Sequence, residues 1–242
     1  MSLLAVEHLD VRHGLLHAVR NVSFTVEDGE ILALVGANGA GKTTLLRAIA
    51  GAHRPSSGRV VFDGRDLARE RAHARVRRGI TLVPEGRKLF GEMTVEENLV
   101  IGGATRRPGR WNLQTVLEAF PMLREHRRQR GGSLSGGEQQ ATAIGRALMT
   151  NPRLLLIDEI SLGLSPVAIG RLYESLKTVI DAGTTVVLVE QDLSRTLRVA
   201  TRLVCMLEGR VVLEGKAAEL SREQVTSAYF GLGRGAEPET HA

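Results

Sequence analysis

Eight residues, Gly36-Ala37-Asn38-Gly39-Ala40-Gly41-Lys42-Thr43, have the types and spacing to hold a chain of phosphates. They follow the apolar run Ile31-Leu32-Ala33-Leu34-Val35 and open a stretch of helix formers that reaches Ala50 before a Gly51 stop. Glycines at this spacing let backbone N–H groups wrap an anion without Cβ clashes, and a helix N-terminus adds the positive end of its dipole. The pattern G-x-x-x-x-G-K-[ST], set between strand and helix, reads as a cradle for the phosphates of a nucleotide. Lys42 should reach the β- and γ-phosphates and Thr43 should hold Mg²⁺. The bland alternative, a plain Gly-rich helix cap, weakens once the motifs downstream are counted.

A second apolar run, Leu154-Leu155-Leu156-Ile157, ends in Asp158-Glu159. Two carboxylates at the end of a buried strand are costly unless a cation or a polar site receives them. Asp158 is placed to meet the Mg²⁺ shell, and Glu159 to accept the proton of the water that attacks the γ-phosphate. Between these motifs, Leu134-Ser135-Gly136-Gly137-Glu138 precedes a helical stretch running to Leu148. Ser135 fits its N-cap, and the outward N–H groups of the glycines that follow make a second anion site.

These groups need a frame. Leu3 to Val11 and Val22 to Val26 read as strands, with turn chemistry at Arg12-His13-Gly14 and Glu27-Asp28-Gly29. Thr94 with Glu97 three residues later suggests a capping box, and helical patterns continue from Leu113 through Arg128. Apolar strands then return at Leu154 to Ile157, Thr185 to Val189, Leu203 to Leu207 and Val211 to Leu213, separated by helices as in a parallel sheet with crossovers. The expected fold is α/β: a mixed or parallel sheet around the phosphate loop, an N-terminal antiparallel element and an inserted helical subdomain. A single domain should cover 1–230, with its core at 1–84 and 150–230 and the helical part at about 85–149; a flexible tail is expected at 231–242.

At 242 residues, with 43% hydrophobic and 24% charged, the chain has globular composition. No apolar run approaches the roughly 18 residues that span a bilayer, and the start lacks a basic leader and apolar signal core, so a cytoplasmic protein is expected. The single cysteine, Cys205, lies in an apolar stretch and reads as a buried, inert thiol. A net charge of +5 is spread rather than striped, densest at Arg65 to Arg78 and Arg124 to Arg130. With aromatic residues at 3%, a stacking platform for nucleic acid is not expected, and these basic stretches read as solvated faces.

Leu134 to Glu138, lying between the phosphate loop and the acid-ended strand, resembles the signature of ATP-binding-cassette ATPases, and the match spans nearly the whole chain. In that family the signature of one cassette closes on the ATP held by another. The resemblance therefore implies a head-to-tail pair, with neither Ser135 nor Gly137 touching the ATP of its own subunit. It implies a nucleotide-binding set of Gly36, Ala37, Asn38, Gly39, Ala40, Gly41, Lys42, Thr43 and Thr44, with His13 where many cassettes stack an aromatic ring on adenine. Glu85 stands where most have a glutamine that links Mg²⁺ and water to the membrane partner, so the implied metal set is Thr43, Asp158 and Glu85. Gln191 stands where most have a histidine that contacts the γ-phosphate, which places it beside Glu159 in the catalytic set. Ser161 to Pro166 matches the loop that crosses the dimer interface, and Ile160 replaces the usual proline.

The departures at Glu85 and Gln191, with Val83 to Arg87, Met93 to Leu99 and Leu188 to Gln191, look like the LivF-type ATPases of branched-chain amino-acid importers. That resemblance implies a subunit peripheral on the inner face of the cell membrane. Its partners would be permease subunits and a LivG-type cassette or a second copy of itself, served indirectly by a solute-binding protein. Urea importers share much of the pattern and are the nearest alternative. A regulatory cassette acting on ribosomes or DNA is a distant one, since such proteins usually carry two fused cassettes or long coiled-coil insertions and neither is present.

Overall fold

Alternating apolar residues near the N-terminus make the first two strands of this computed structural model, which describes residues 2–232. β1 (Leu4–His13) pairs antiparallel with β2 (Leu16–Val26). The turn expected at Arg12-His13-Gly14 falls instead at Gly14-Leu15, because Arg12 and His13 still pair with His17 and Leu16 and Gly14 supplies the positive φ of 59°. There follow β3 (Ile31–Val35), α1 (Lys42–Ile49), β4 (Ser57–Phe62), β5 (Arg65–Asp66), α2 (Ala72–Arg78) and β6 (Ile80–Val83). The helical stretch comprises α3 (Val95–Gly102), α4 (Leu113–Ala119), α5 (Met122–Glu125) and α6 (Gly136–Leu148). The chain returns to sheet through β7 (Leu154–Ile157), α7 (Pro166–Asp181), β8 (Thr185–Val189), α8 (Leu193–Val199), β9 (Arg202–Leu207), β10 (Arg210–Lys216) and α9 (Arg222–Phe230). Of the expected tail, 233–242 lies outside the described residues.

Two sheets form, ordered β2-β1-β4-β5 and β10-β9-β3-β8-β7-β6. In the second, every neighbouring pair from β9 to β6 is parallel. The expectation of parallel pairing fails only at β10, which runs antiparallel to β9. Glu208 and Gly209, both at positive φ, make a tight turn, whereas a parallel crossover needs a dozen or more residues. The helical pattern read from Leu113 to Arg128 also breaks, at Phe120, because Pro121 disfavours helical backbone in the residue before it.

All five residues of β3 are buried, which requires cover on both faces of the sheet. Leu32 and Leu34 pack with Leu45, Leu46 and Ile49 of α1 and with the antiparallel sheet. Ile31 and Ala33 belong to the opposite core, with Leu99, Ile144, Leu148 and Leu176 from α3, α6 and α7. The expected capping box at α3 is present, Thr94 N–H donating to Glu97 Oε2 and Glu97 N–H to Thr94 Oγ1. Cys205 is buried, and burial pushes its thiol up to about 11. No described helix is long and apolar enough to cross a membrane.

One arginine of the basic stretch at 65–78 is not solvated. Arg75 is 2% exposed and donates to the carbonyls of Ala48, Ile49, Leu67 and Glu70, so it caps the last turn of α1 and ties it to the chain before α2. Removing it orphans buried acceptors at a cost of about 1–3 kcal/mol each. Arg75→Met should therefore lower unfolding stability by about 3 kcal/mol or more, measured by urea denaturation.

Candidate active site

Register brings the chemistry to one edge. Leu34 pairs with Val189, Leu188 with Ile157, and Ile157 with Val83, so β3, β8, β7 and β6 end side by side. Their C-terminal ends release the Gly36 loop, Glu190-Gln191, Asp158-Glu159 and Pro84-Glu85 into the same region, where open α/β sheets bind ligands. A cleft of about 480 Å³ there is lined by His13, Asn38 to Thr44, Glu85, Glu159 and Gln191, together with Leu16, Ala18 and Leu162.

The loop keeps its shape through its glycines. Gly36 has φ 148° and a Cβ there would meet the Met206 carbonyl oxygen at 2.2 Å; Gly41 has φ 97° and a Cβ would meet that of Ala18 at 2.2 Å. Gly41 also caps α1 without a side-chain hydrogen bond, and no acid occupies the first turn. The N–H groups of that turn therefore remain donors for an anion. Lys42 Nζ donates to the carbonyls of Gly36 at 2.6 Å and Ala37 at 2.9 Å. Burial lowers its pKa, while the charges of Glu159 and Asp158 act in the opposite direction.

Thr43 Oγ1 donates to Asp158 Oδ1 at 2.9 Å, joining the start of α1 to the end of β7. Asp158 is 1% exposed, and its Oδ2 is a buried acceptor without a partner. Burial first, then the charges of Glu159 and Glu85, raise its pKa, against the Thr43 hydrogen bond. A hydroxyl, an orphaned carboxylate oxygen and excess negative charge are the donor set that a hard divalent cation satisfies, so these residues fit Mg²⁺.

Glu159 adopts φ 52°, a left-handed backbone unusual for a residue with a side chain, and it faces the cleft. Gln191 Nε2 donates to Glu159 Oε1 at 3.2 Å and lies 3.5 Å from Asn38 Oδ1, so an amide bridges the acid and the phosphate loop. His13 Nε2 lies 3.3 Å from Thr44 Oγ1, and its ring is 4.3 Å from that of His53. Ile160 is fully buried in the core beside the helices, which anchors the turn that a proline would otherwise stiffen.

The signature stretch lies elsewhere. Ser135 caps α6, its N–H donating to Glu138 Oε2 at 2.8 Å while Glu138 N–H points back to Ser135 Oγ at 3.5 Å. His126 Nε2 meets Glu138 Oε1 at 3.1 Å. Leu134 is buried beneath, and none of Leu134, Ser135, Gly136, Gly137 or Glu138 lines the cleft. The N-terminus of α6 therefore lies outside this chain's own cleft. Two further residues complete the arrangement. Arg87 Nη1 donates to Gln139 Oε1 at 2.8 Å, joining the loop after β6 to α6. Glu190 gathers hydrogen bonds beneath Gln191. The same sign that exposes Asp158, an acid directly after a buried apolar strand, also marks Glu190.

The unpaired Asp158 oxygen has a measurable consequence. Asp158→Asn keeps the Thr43 contact and removes an ionised group that burial disfavours. It should raise the unfolding midpoint of the nucleotide-free protein by a few degrees while shrinking the stabilisation gained on adding ATP and Mg²⁺. Differential scanning fluorimetry with and without both ligands checks the two effects.

Comparison with known proteins identifies relatives of the chain. The family profile described as ABC transporter matches residues 19–161. The high-affinity branched-chain amino acid transport ATP-binding protein BraG of Pseudomonas aeruginosa is 42% identical, covering 95% of this chain and all of that protein. The probable branched-chain amino acid transport ATP-binding protein LivF of Archaeoglobus fulgidus is 34% identical over 90% of this chain and 94% of its own. A solved dimeric bacterial ABC transporter cassette superposes with a TM-score of 0.78 at 25% identity, over 88% of this chain and 98% of that one. With more than half its length inside the family profile and relatives matched nearly end to end, the chain belongs to the ABC transporter family, as one of its ATP-hydrolysing cassettes.

Proposed function

We propose that this cassette energises the uptake of branched-chain amino acids through a membrane permease. The observation that carries the catalytic part is the convergence of Lys42, Thr43, Glu85, Glu159 and Gln191 on one cleft, with Asp158 hydrogen-bonded to Thr43 beneath it. The solute is inferred from two of the relatives matched over almost their full length, both described as branched-chain amino acid transport ATP-binding proteins. The departures Glu85 and Gln191 support the same LivF-type assignment.

ATP sits with its phosphates over the Gly36 to Thr43 loop and its base toward His13. Lys42 leaves the Gly36 and Ala37 carbonyls for the β- and γ-phosphates. Thr43 and Asp158, with Glu85 at the rim, would hold Mg²⁺, which would supply charge neutralisation on the phosphates. Glu159 takes a proton from the water whose oxygen attacks the γ-phosphorus, giving ADP and inorganic phosphate. Gln191 releases Glu159 and donates its amide hydrogen to the γ-phosphate.

The position of Ser135 to Glu138 outside the cleft supports a head-to-tail partner, whose ATP those donors would receive. That partner is a LivG-type cassette or a second copy of this chain. The helical part at about 85–149, facing permease subunits, carries the motion of closure to the membrane, and the cassette is peripheral on its cytoplasmic face. A solute-binding protein feeds the permease.

Glu159→Gln should lower kcat by about 10²- to 10⁴-fold with ATP affinity kept, because only the proton acceptor is lost. Lys42→Ala should weaken ATP binding itself, and a fluorescent nucleotide titration separates the two variants. Deleting the chain from its cell should abolish uptake of radiolabelled leucine, isoleucine and valine. Loss of urea uptake with these three intact would reassign the solute.

A further inference from the structure

Glu190 follows β8 directly and is 1% exposed. Its Oε1 accepts the Ser161 hydroxyl at 2.6 Å, the Gln191 N–H at 2.8 Å and the Asp192 N–H at 3.2 Å. Its Oε2 accepts the Tyr173 hydroxyl at 2.9 Å. A carboxylate is costly to bury unless donors saturate it, and four converge here. The donors come from three places: the loop two residues past Glu159, the turn that carries Gln191, and α7. Gln191 in turn donates to Glu159, which closes a ring of contacts through Ser161, Glu190, Gln191 and Glu159.

We propose that Glu190 is a positioning residue that locks the loop at 160–165 and Gln191 to one buried point, so that both walls of the hydrolytic cleft shift together. The proposal rests on reading the cleft as the ATP-hydrolysing site. Ser161 begins the segment whose Leu162 lines the cleft, and Ser165 caps α7 at the far end of that segment. Tyr173, one face of α7, anchors the network to a rigid element. Burial and the adjacent Glu190 charge push its phenol far up, so it remains a donor at any working pH. A displacement of the loop by a partner subunit is thereby transmitted to Gln191, and the geometry of the water held between Glu159 and the γ-phosphate changes with it. A staple that only held the fold would affect stability and leave the hydrolytic geometry alone.

The test uses the full chain purified in complex with its partner subunits, following kcat and KM for ATP. Glu190→Ala should lower kcat by about tenfold or more with KM within about threefold, the pattern of lost transition-state geometry rather than lost binding. Glu190→Gln should return kcat to within about threefold of the parent, because its amide oxygen accepts from Ser161 and both N–H groups while its NH₂ donates to Tyr173. Ser161→Ala combined with Glu190→Ala should be no slower than Glu190→Ala alone, since both break one unit. Additive losses, an unchanged kcat in Glu190→Ala, or a Glu190→Gln as slow as the alanine would each overturn the proposal. If Glu190→Ala does not fold, Ser161→Ala and Tyr173→Phe each delete a single donor with the carboxylate in place. A fall in kcat at constant KM in either supports the network, and an unchanged kcat in both overturns it. Loss of turnover in Glu159→Gln together with normal turnover in Glu190→Ala would reject this inference and leave the ATPase reading standing.

Discussion

Parallel strands held in register end together, and that constraint organises everything else in this molecule. The pairing of Leu34 with Val189, Leu188 with Ile157 and Ile157 with Val83 leaves four loop starts within reach of one ligand. None of the strands carries the cleft's chemistry itself; they are mostly apolar and buried, and the first charged residue of each comes beyond its C-terminal end. Slipping one strand by a residue would turn its buried side chains to the wrong core and carry its acid away from the phosphate loop. The hydrogen bond from Thr43 to Asp158 then fixes the loop to the edge, across 115 positions of sequence.

The site stores unfavourable terms that the cores on either side offset. Asp158 is buried with one oxygen unpaired, Glu159 holds a left-handed backbone, and Lys42 turns back on carbonyls of its own loop. Under the proposed binding of ATP and Mg²⁺, the orphaned Asp158 oxygen would gain a partner and Lys42 would exchange carbonyls for phosphates. Binding energy and folding energy are therefore coupled at this edge, and a substitution that settles the empty site weakens the occupied one.

What could be read from sequence depended on whether the cause was local. The strand, Gly-rich turn and helix at 31–50 are legible because three adjacent signals agree, and so are the capping box at Thr94 and the N-cap at Ser135, whose causes lie within three residues. Asp158 and Glu159 stood out as acids after an apolar run. Glu190 carries the same mark, but the donors that let it be buried, Ser161 and Tyr173, lie 29 and 17 positions away and leave no local pattern. Arg75 gave no local sign, since arginine is ordinarily exposed and its partners are carbonyls from distant turns. The reversal at β10 turned on two residues, Glu208 and Gly209, and the break at Phe120 on the proline after it. In both, a single backbone preference overrode a longer pattern.

The separation of Ser135 to Glu138 from the cleft divides the chain into two surfaces with different correspondents. The cleft residues lie on one polypeptide and must first suit one another. In the proposed head-to-tail pair, the residues at the N-terminus of α6 would have to suit a cleft encoded by another copy or another gene. Where the correspondent is a different cassette, inheritance of the two genes together becomes part of what preserves the site, and either of the two clefts can decay while its chain is retained for the donors it lends.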